Sequence, residues 1–278
     1  MTHQPTTAND GGAVTAGTSP ASLRSVANTL LGALKTARPC GPVRDFLQGD
    51  LDSAYEVQEL IIQSRVSGRN RRIGRKVGLT APAVQRQLGV DEPDFGVLLS
   101  DMQLGEDEQI PHDALIAPRI EAEIAFILGR DVDATDRDSV LSAVDYVAPA
   151  LEIVDSRIAG WDIGIVDTVA DNASSAYFVL GQGKATLNGY VPAGAEMVMT
   201  INGVQASMGT GADCLGDPVN ALLWVAETAA ALGRPLRAGE IVLSGALGPM
   251  APLTAGDIIE ARIGGLGTVT ATVTKELS

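Results

Sequence analysis

Histidine is nearly absent: the 278 residues hold two, His3 and His112. This excludes mechanisms built on a histidine triad or a multi-histidine metal site. Acid–base and metal chemistry must then fall to carboxylates, lysine, hydroxyls or backbone groups. Cysteine is equally scarce. Cys40 and Cys214 stand far apart in the chain and provide neither a disulfide framework nor a thiolate metal site. Long apolar runs are missing too. Stretches such as Ala221 to Ala226 and Ile241 to Leu247 fall well short of the roughly 20 residues that cross a bilayer, so no membrane partner is expected. Met1 to Pro20 lacks the apolar centre of a signal peptide, and a cytoplasmic location is the expectation. Basic residues are outnumbered, 20 Lys and Arg against 34 Asp and Glu, for a net charge of −14. Such a surface repels phosphate backbones, so nucleic acid is not an expected partner. An anionic substrate would need a local positive charge, which a bound metal ion would supply.

The chain is 45% hydrophobic, enough for a sizeable core. Residues 1–20 are small and polar and read as a disordered tail. Leu23, Val26, Ala27, Leu30, Leu31 and Leu34 then recur at helical spacing, with Ser22 as a plausible N-cap. A second helical pattern covers Ser53 to Ser67. Residues 21–72 are therefore an N-terminal helical region. Over 73–278, glycine and proline recur at short intervals. Strand patterns cover Ile120–Leu128, Tyr146–Val154, Met197–Ile201, Glu240–Ser244, Ile258–Ile263 and Thr268–Thr274. One helix, Pro218 to Leu232, interrupts them, with Asp217 as cap and Gly233 as terminator. Helices and strands do not alternate regularly. The pattern predicts an α+β chain in which a helical arm precedes a mixed β-sandwich or roll.

Within Ile120–Leu128, Ile120, Ala122, Ile124, Phe126 and Leu128 share one face of a strand, and Glu121 and Glu123 share the other. Those two acids sit roughly 6–7 Å apart at Cα, close enough for their side chains to converge on one cation. An ordinary solvated face would read the same way. Glu152 adds weight, because Pro149-Ala150-Leu151-Glu152-Ile153-Val154 is an apolar strand pattern in which a lone carboxylate is costly unless paired or metal-bound. Three carboxylates suit Mg²⁺ or Mn²⁺, which favour hard oxygen ligands. Lys76, in Gly74-Arg75-Lys76-Val77-Gly78-Leu79-Thr80, serves either as a proton-transfer group or as one more charge in a basic stretch. Asp94, in Pro93-Asp94-Phe95-Gly96, fits an acid–base role or a turn. Asp171-Asn172-Ala173-Ser174-Ser175-Ala176 offers amides and hydroxyls to a carboxylate, or is merely a turn.

Taken in order, Gly74–Thr80, Gly89-Val90-Asp91, Pro93–Gly96, Pro118–Glu123, Ala150–Arg157 and Asp171–Ser175 resemble the 2-keto-4-pentenoate hydratases of the fumarylacetoacetase superfamily. The resemblance implies a fumarylacetoacetase-type C-terminal domain over 73–278, with Mg²⁺ or Mn²⁺ held by Glu121, Glu123 and Glu152. It implies Lys76 and Asp94 as catalytic residues, and Leu79, Phe95, Ser174 and Ser175 as substrate contacts. It further implies a small anionic 2-oxo or 2-hydroxy dienoate as substrate, work in meta-cleavage degradation of aromatic compounds, and a pentamer-based homo-oligomer, up to a decamer. The sister 4-oxalocrotonate decarboxylases share the metal site. They typically carry Phe-Lys-Met and Val-Glu-Pro-Glu versions of two motifs and lack the acid at the Asp94 position. Here Arg75-Lys76-Val77, Ile120-Glu121-Ala122-Glu123 and Pro93-Asp94-Phe95 favour the hydratase.

Overall fold

The computed structural model describes residues 18–81, 85 and 92–275. Most of the tail expected over 1–20, and the Gly89-Val90-Asp91 motif, lie outside the described residues. Helix α1, Pro20–Thr36, buries Leu23, Val26, Ala27, Leu30 and Ala33, the stripe its spacing predicts. Its N-cap is Ser19, whose hydroxyl accepts from the amide of Ser22; Ser22 itself lies inside the first turn. Helix α2, Leu51–Arg65, starts two residues earlier than its pattern suggests because Asp50 caps it. These helices pack on each other and on Ile158, Val166, Val169 and Ala170, forming a small apolar cluster of their own.

The rest is built on two sheets. The larger has eight strands, with a main path of β2 (Asp94–Leu99), β1 (Arg72–Gly78), β10 (Ile241–Leu243), β5 (Arg119–Leu128), β6 (Val144–Val154), β7 (Ser175–Leu180) and β3 (Gln103–Leu104). Strand β11 (Ala251–Pro252) adds to β5 off that path. The smaller runs β4 (Gln109–Ile110), β13 (Gly267–Val273), β12 (Ile258–Ile263), β8 (Glu196–Ile201) and β9 (Val204–Thr210). Pairing is mixed: β1 with β10, β3 with β7 and β4 with β13 are parallel, and the others are antiparallel. Strands β12 and β13 lie against β6, and the main core fills the space between the sheets. Among the described residues three further α-helices complete the frame: α3 (Arg137–Ala143), α4 (Ile165–Ala170) and α5 (Pro218–Ala231), the last capped by Asp217 as its sequence predicts. The α+β sandwich with a helical arm is therefore observed. Strands β1, β2, β7 and β9 carry no clear period-two pattern and were not foreseen. In β2 all six residues are buried, so the alternation that marks a half-exposed strand is missing.

Candidate active site

The carboxylate cluster follows from one register. Strands β5 and β6 pair antiparallel with Glu121 opposite Glu152 and Glu123 opposite Ala150. Residues directly opposite share a sheet face, as do residues two apart on one strand, so all three acids project to the same side. Each offers an oxygen lying within 4.8 Å of those from the other two. This face is not solvated: Glu123 and Glu152 are fully buried and Glu121 is partly so. One oxygen of Glu123 accepts from the Gly245 amide at 2.8 Å, while its other oxygen and the Oε1 of Glu152 have no hydrogen-bond partner among the described residues. Gly245 has φ +94, and a Cβ there would lie 2.4 Å from Thr80 Cγ2, so only glycine brings this amide to Glu123. Buried carboxylate oxygens without donors are costly, and a divalent cation bound by oxygen is the partner this donor set fits.

Beside the cluster, Lys76 Nζ is 3.2 Å from Glu152 Oε2, with both side chains buried. Burial alone would push this lysine's pKa down. The surrounding carboxylates of Glu152, Asp94, Glu121 and Glu123 outweigh burial and hold it above its ordinary value. In the acids, burial dominates. It pushes Glu121 up to about 7 and Glu123 well above the usual carboxylate range, with neighbouring acids adding to the rise and Lys76 opposing it. Glu152 is raised by burial and restrained chiefly by Lys76.

Asp94 lies in β2 opposite Gly78 of β1, so it is a strand residue and not part of a turn. A Cβ at Gly78 would fall 2.2 Å from Asp94 Oδ1 and 3.5 Å from Lys76 Nζ. The bare glycine therefore leaves the room in which acid and ammonium face each other. Thr168 of α4 donates its hydroxyl to Asp94 Oδ2 at 3.1 Å. Burial raises the Asp94 pKa against the opposing pull of Lys76 and this hydrogen bond. Phe95 is not brought to this face. Adjacent strand residues point to opposite sides, and its ring stacks on Tyr55 with centroids 4.9 Å apart. Leu79 follows β1 with φ +56, and its carbonyl accepts from the Gln85 side chain at 2.8 Å.

The segment expected to grip a carboxylate is a turn of unusual hand. Asn172, Ala173 and Ser174 have φ of 54, 50 and 54. For L-residues this costs about 1–2 kcal/mol each. The Asn172 side chain holds the turn in place, accepting from the amide of Val97 at 2.8 Å and donating to its carbonyl at 3.0 Å. From the other side, the buried Arg157 guanidinium pairs with Asp171 and donates to the carbonyls of Asp155, Asp171 and Ser175. The outcome is two buried hydroxyls, those of Ser174 and Ser175, that meet no partner in good hydrogen-bonding geometry among the described residues, with Ser175 near enough to Glu152 to hold its pKa down. Sequence reasoning missed Thr168, Gly245 and the Arg157–Asp171 pair. Only the last left a trace, an arginine and an aspartate in apolar surroundings.

The fumarylacetoacetate (FAA) hydrolase C-terminal family matches residues 67–274, which hold all three carboxylates. A 2-keto-4-pentenoate hydratase of Paraburkholderia xenovorans (strain LB400) is 49% identical over 90% of this chain and 94% of its own. The TodF product hydratase of Pseudomonas putida is 48% identical over 91% of this chain and 96% of its own. The chain belongs to this family, among its 2-keto-4-pentenoate hydratases. Among solved structures, the 4-oxalocrotonate decarboxylase from Pseudomonas putida G7, complexed with magnesium and adipate, superposes with a TM-score of 0.87 at 30% identity. It covers 91% of this chain and 97% of the other. Among the described residues no helix is long and apolar enough to cross a membrane.

Proposed function

We propose that this chain adds water to 2-hydroxypenta-2,4-dienoate to give 4-hydroxy-2-oxopentanoate, in the meta-cleavage breakdown of aromatic compounds. The observation that carries the reading is the trio of converging carboxylates with unpartnered oxygens, flanked by a buried lysine and a buried acid. Glu121, Glu123 and Glu152 would hold Mg²⁺ or Mn²⁺. When bound, the ion supplies positive charge and Lewis acidity to the enolate of a 2-oxo acid.

The chain's own residues do the rest. Ser174 and Ser175 donate their free hydroxyls to the substrate carboxylate, and Leu79 lies against its carbon chain. The dienol is ketonised by proton transfer to C5, giving a 3-enoyl 2-oxo acid. Water then adds at C4, and a proton is delivered to C3. Lys76 stabilises or reprotonates the enolate. Asp94, its second oxygen fixed by Thr168, positions or deprotonates the water. Exchanging the roles of Lys76 and Asp94 fits the same geometry. The Phe95 ring, stacked on Tyr55, is left out of this scheme.

The protein would act in the cytoplasm as a pentamer-based oligomer, up to a decamer, which native mass spectrometry would count. The deciding experiment follows ultraviolet loss of the dienol during Mg²⁺ and Mn²⁺ titration and identifies the product. The decarboxylase likeness supports a second reading: release of CO₂ from 2-oxo-3-hexenedioate by the pure protein would favour it. A hydratase for a longer 2-oxo-enoate is the third reading, and relative turnover of homologous dienoates would separate it.

A further inference from the structure

The two cations nearest the reacting groups are already engaged. Lys76 is paired with Glu152, and Arg157 is enclosed by Asp171 and three carbonyls. Arg119 differs. It precedes Glu121 by two positions on β5 and so lies on the carboxylate face of that strand. In the sheet it stands opposite Val154, and Val154 stands opposite Ser175 on β7, so Arg119 and Ser175 end the same cross-strand row. Among the described residues no Asp or Glu pairs with its guanidinium. Its carbon Cζ lies 4.3 Å from the centre of the Trp161 ring, and Nη1 donates to the weak acceptor Met250 Sδ at 3.6 Å.

The platform under this arginine is built at a cost. Trp161 has φ +57 and follows Gly160 at φ +67, and its indole N–H is tied to the Ala117 carbonyl at 3.0 Å. A guanidinium laid on an indole uses its flat face, leaving the N–H donors on its edge free to fork onto a carboxylate. Arg119 and Trp161 are both partly exposed, unlike Lys76 and Arg157. In a chain of net charge −14, this is a partly exposed cation on the carboxylate face that no described Asp or Glu neutralises.

We propose that Arg119, carried on Trp161, captures the carboxylate of the incoming 2-oxo acid and sets specificity for that anion without moving a proton. The inference rests on the hydratase reading for its substrate class, and two probes keep them apart: the dienoate for turnover and pyruvate, a plain 2-oxo acid, for binding. With the Mn²⁺-loaded protein, Arg119→Gln should raise KM and weaken pyruvate binding by calorimetry about 10-fold, because a charge-assisted forked contact is lost. Its kcat should stay within about threefold and Mn²⁺ affinity should hold, since the variant touches no proton-transfer group. The fall of kcat/KM with added salt, steep in the wild type, should flatten. Arg119→Lys should restore the salt dependence but only part of the affinity, because an ammonium is a point charge without the planar fork.

A fall in kcat at unchanged KM, a parallel loss of Mn²⁺ binding, or unchanged pyruvate affinity in Arg119→Gln would each overturn the capture role. If the wild type binds pyruvate through Arg119 yet leaves the dienoate untouched, capture stands and the hydratase reading falls. If turnover is intact and the variant alters neither KM nor pyruvate binding, the reverse holds.

Discussion

Glu123 receives a hydrogen bond on one oxygen and nothing on the other, which gives its charge a definite use. Glu123→Gln should weaken Mg²⁺ binding and abolish both ketonisation and hydration; wild-type turnover of this variant in the presence of EDTA would refute the metal site. The same substitution should leave the ion-free protein at least as stable, since it removes one of three mutually repelling buried acids. Lys76→Ala separates binding from proton transfer. Calorimetric Mg²⁺ affinity should stay largely intact while kcat falls about 10²–10⁴-fold, the usual share of a proton-transfer group. An unchanged kcat would remove Lys76 from the mechanism. These residues were legible because sequence shows chemistry directly: Glu121 and Glu123 by period two, Glu152 by its apolar setting. Thr168 was not legible, because a lone threonine in Val166-Asp167-Thr168-Val169 carries no local sign that it will meet an acid 74 residues upstream.

Elements with a half-exposed pattern were read well. Strand β12 matches its expected bounds, Ile258–Ile263, because its residues alternate between exposed and buried. Strand β1 lies in the sheet interior between β2 and β10, and Gly74 to Val77 are buried one after another, so no alternation marks it. The left-handed turn at Asn172–Ser174 was equally hidden, since Ala and Ser do not announce a positive φ. What holds it is Arg157, which bonds to Asp171 and to carbonyls on both sides of the turn. Burial pushes Asp171 up to about 6, with Arg157 opposing. Arg157→Leu would leave that acid without its partner. Unfolding in urea should show a loss of about 3–5 kcal/mol, the cost of breaking a buried pair from one side. Stability within about 1 kcal/mol of wild type would mean that the turn keeps its shape unaided.

Across the whole molecule, the groups proposed for the site come from β1, β2, β5 and β6 together with the segment 168–175, so the candidate site exists only in the finished sheet. That arrangement links metal, pH and stability. Glu121, unfolded, has an ordinary carboxyl pKa near 4.5, and in the ion-free fold it is raised to about 7. The folded state then binds more protons than the unfolded one within that window, so ion-free stability falls as pH rises from 4.5 through about 7. A cation reverses the penalty by binding the deprotonated acids. The gain in Tm on adding Mg²⁺ or Mn²⁺ should therefore grow across the same window; a gain independent of pH would place the ion elsewhere.

The facing of Glu121 and Glu152 carries one more consequence. A slip of one residue between β5 and β6 would turn Glu152 away from Glu121 and Glu123 and leave two carboxylates on the face in place of three. Cation affinity is thus a proofreading signal for the fold. Chains trapped with misaligned strands would keep their β content yet bind Mn²⁺ more weakly, so tight metal uptake during refolding would count correctly threaded molecules before any substrate is added.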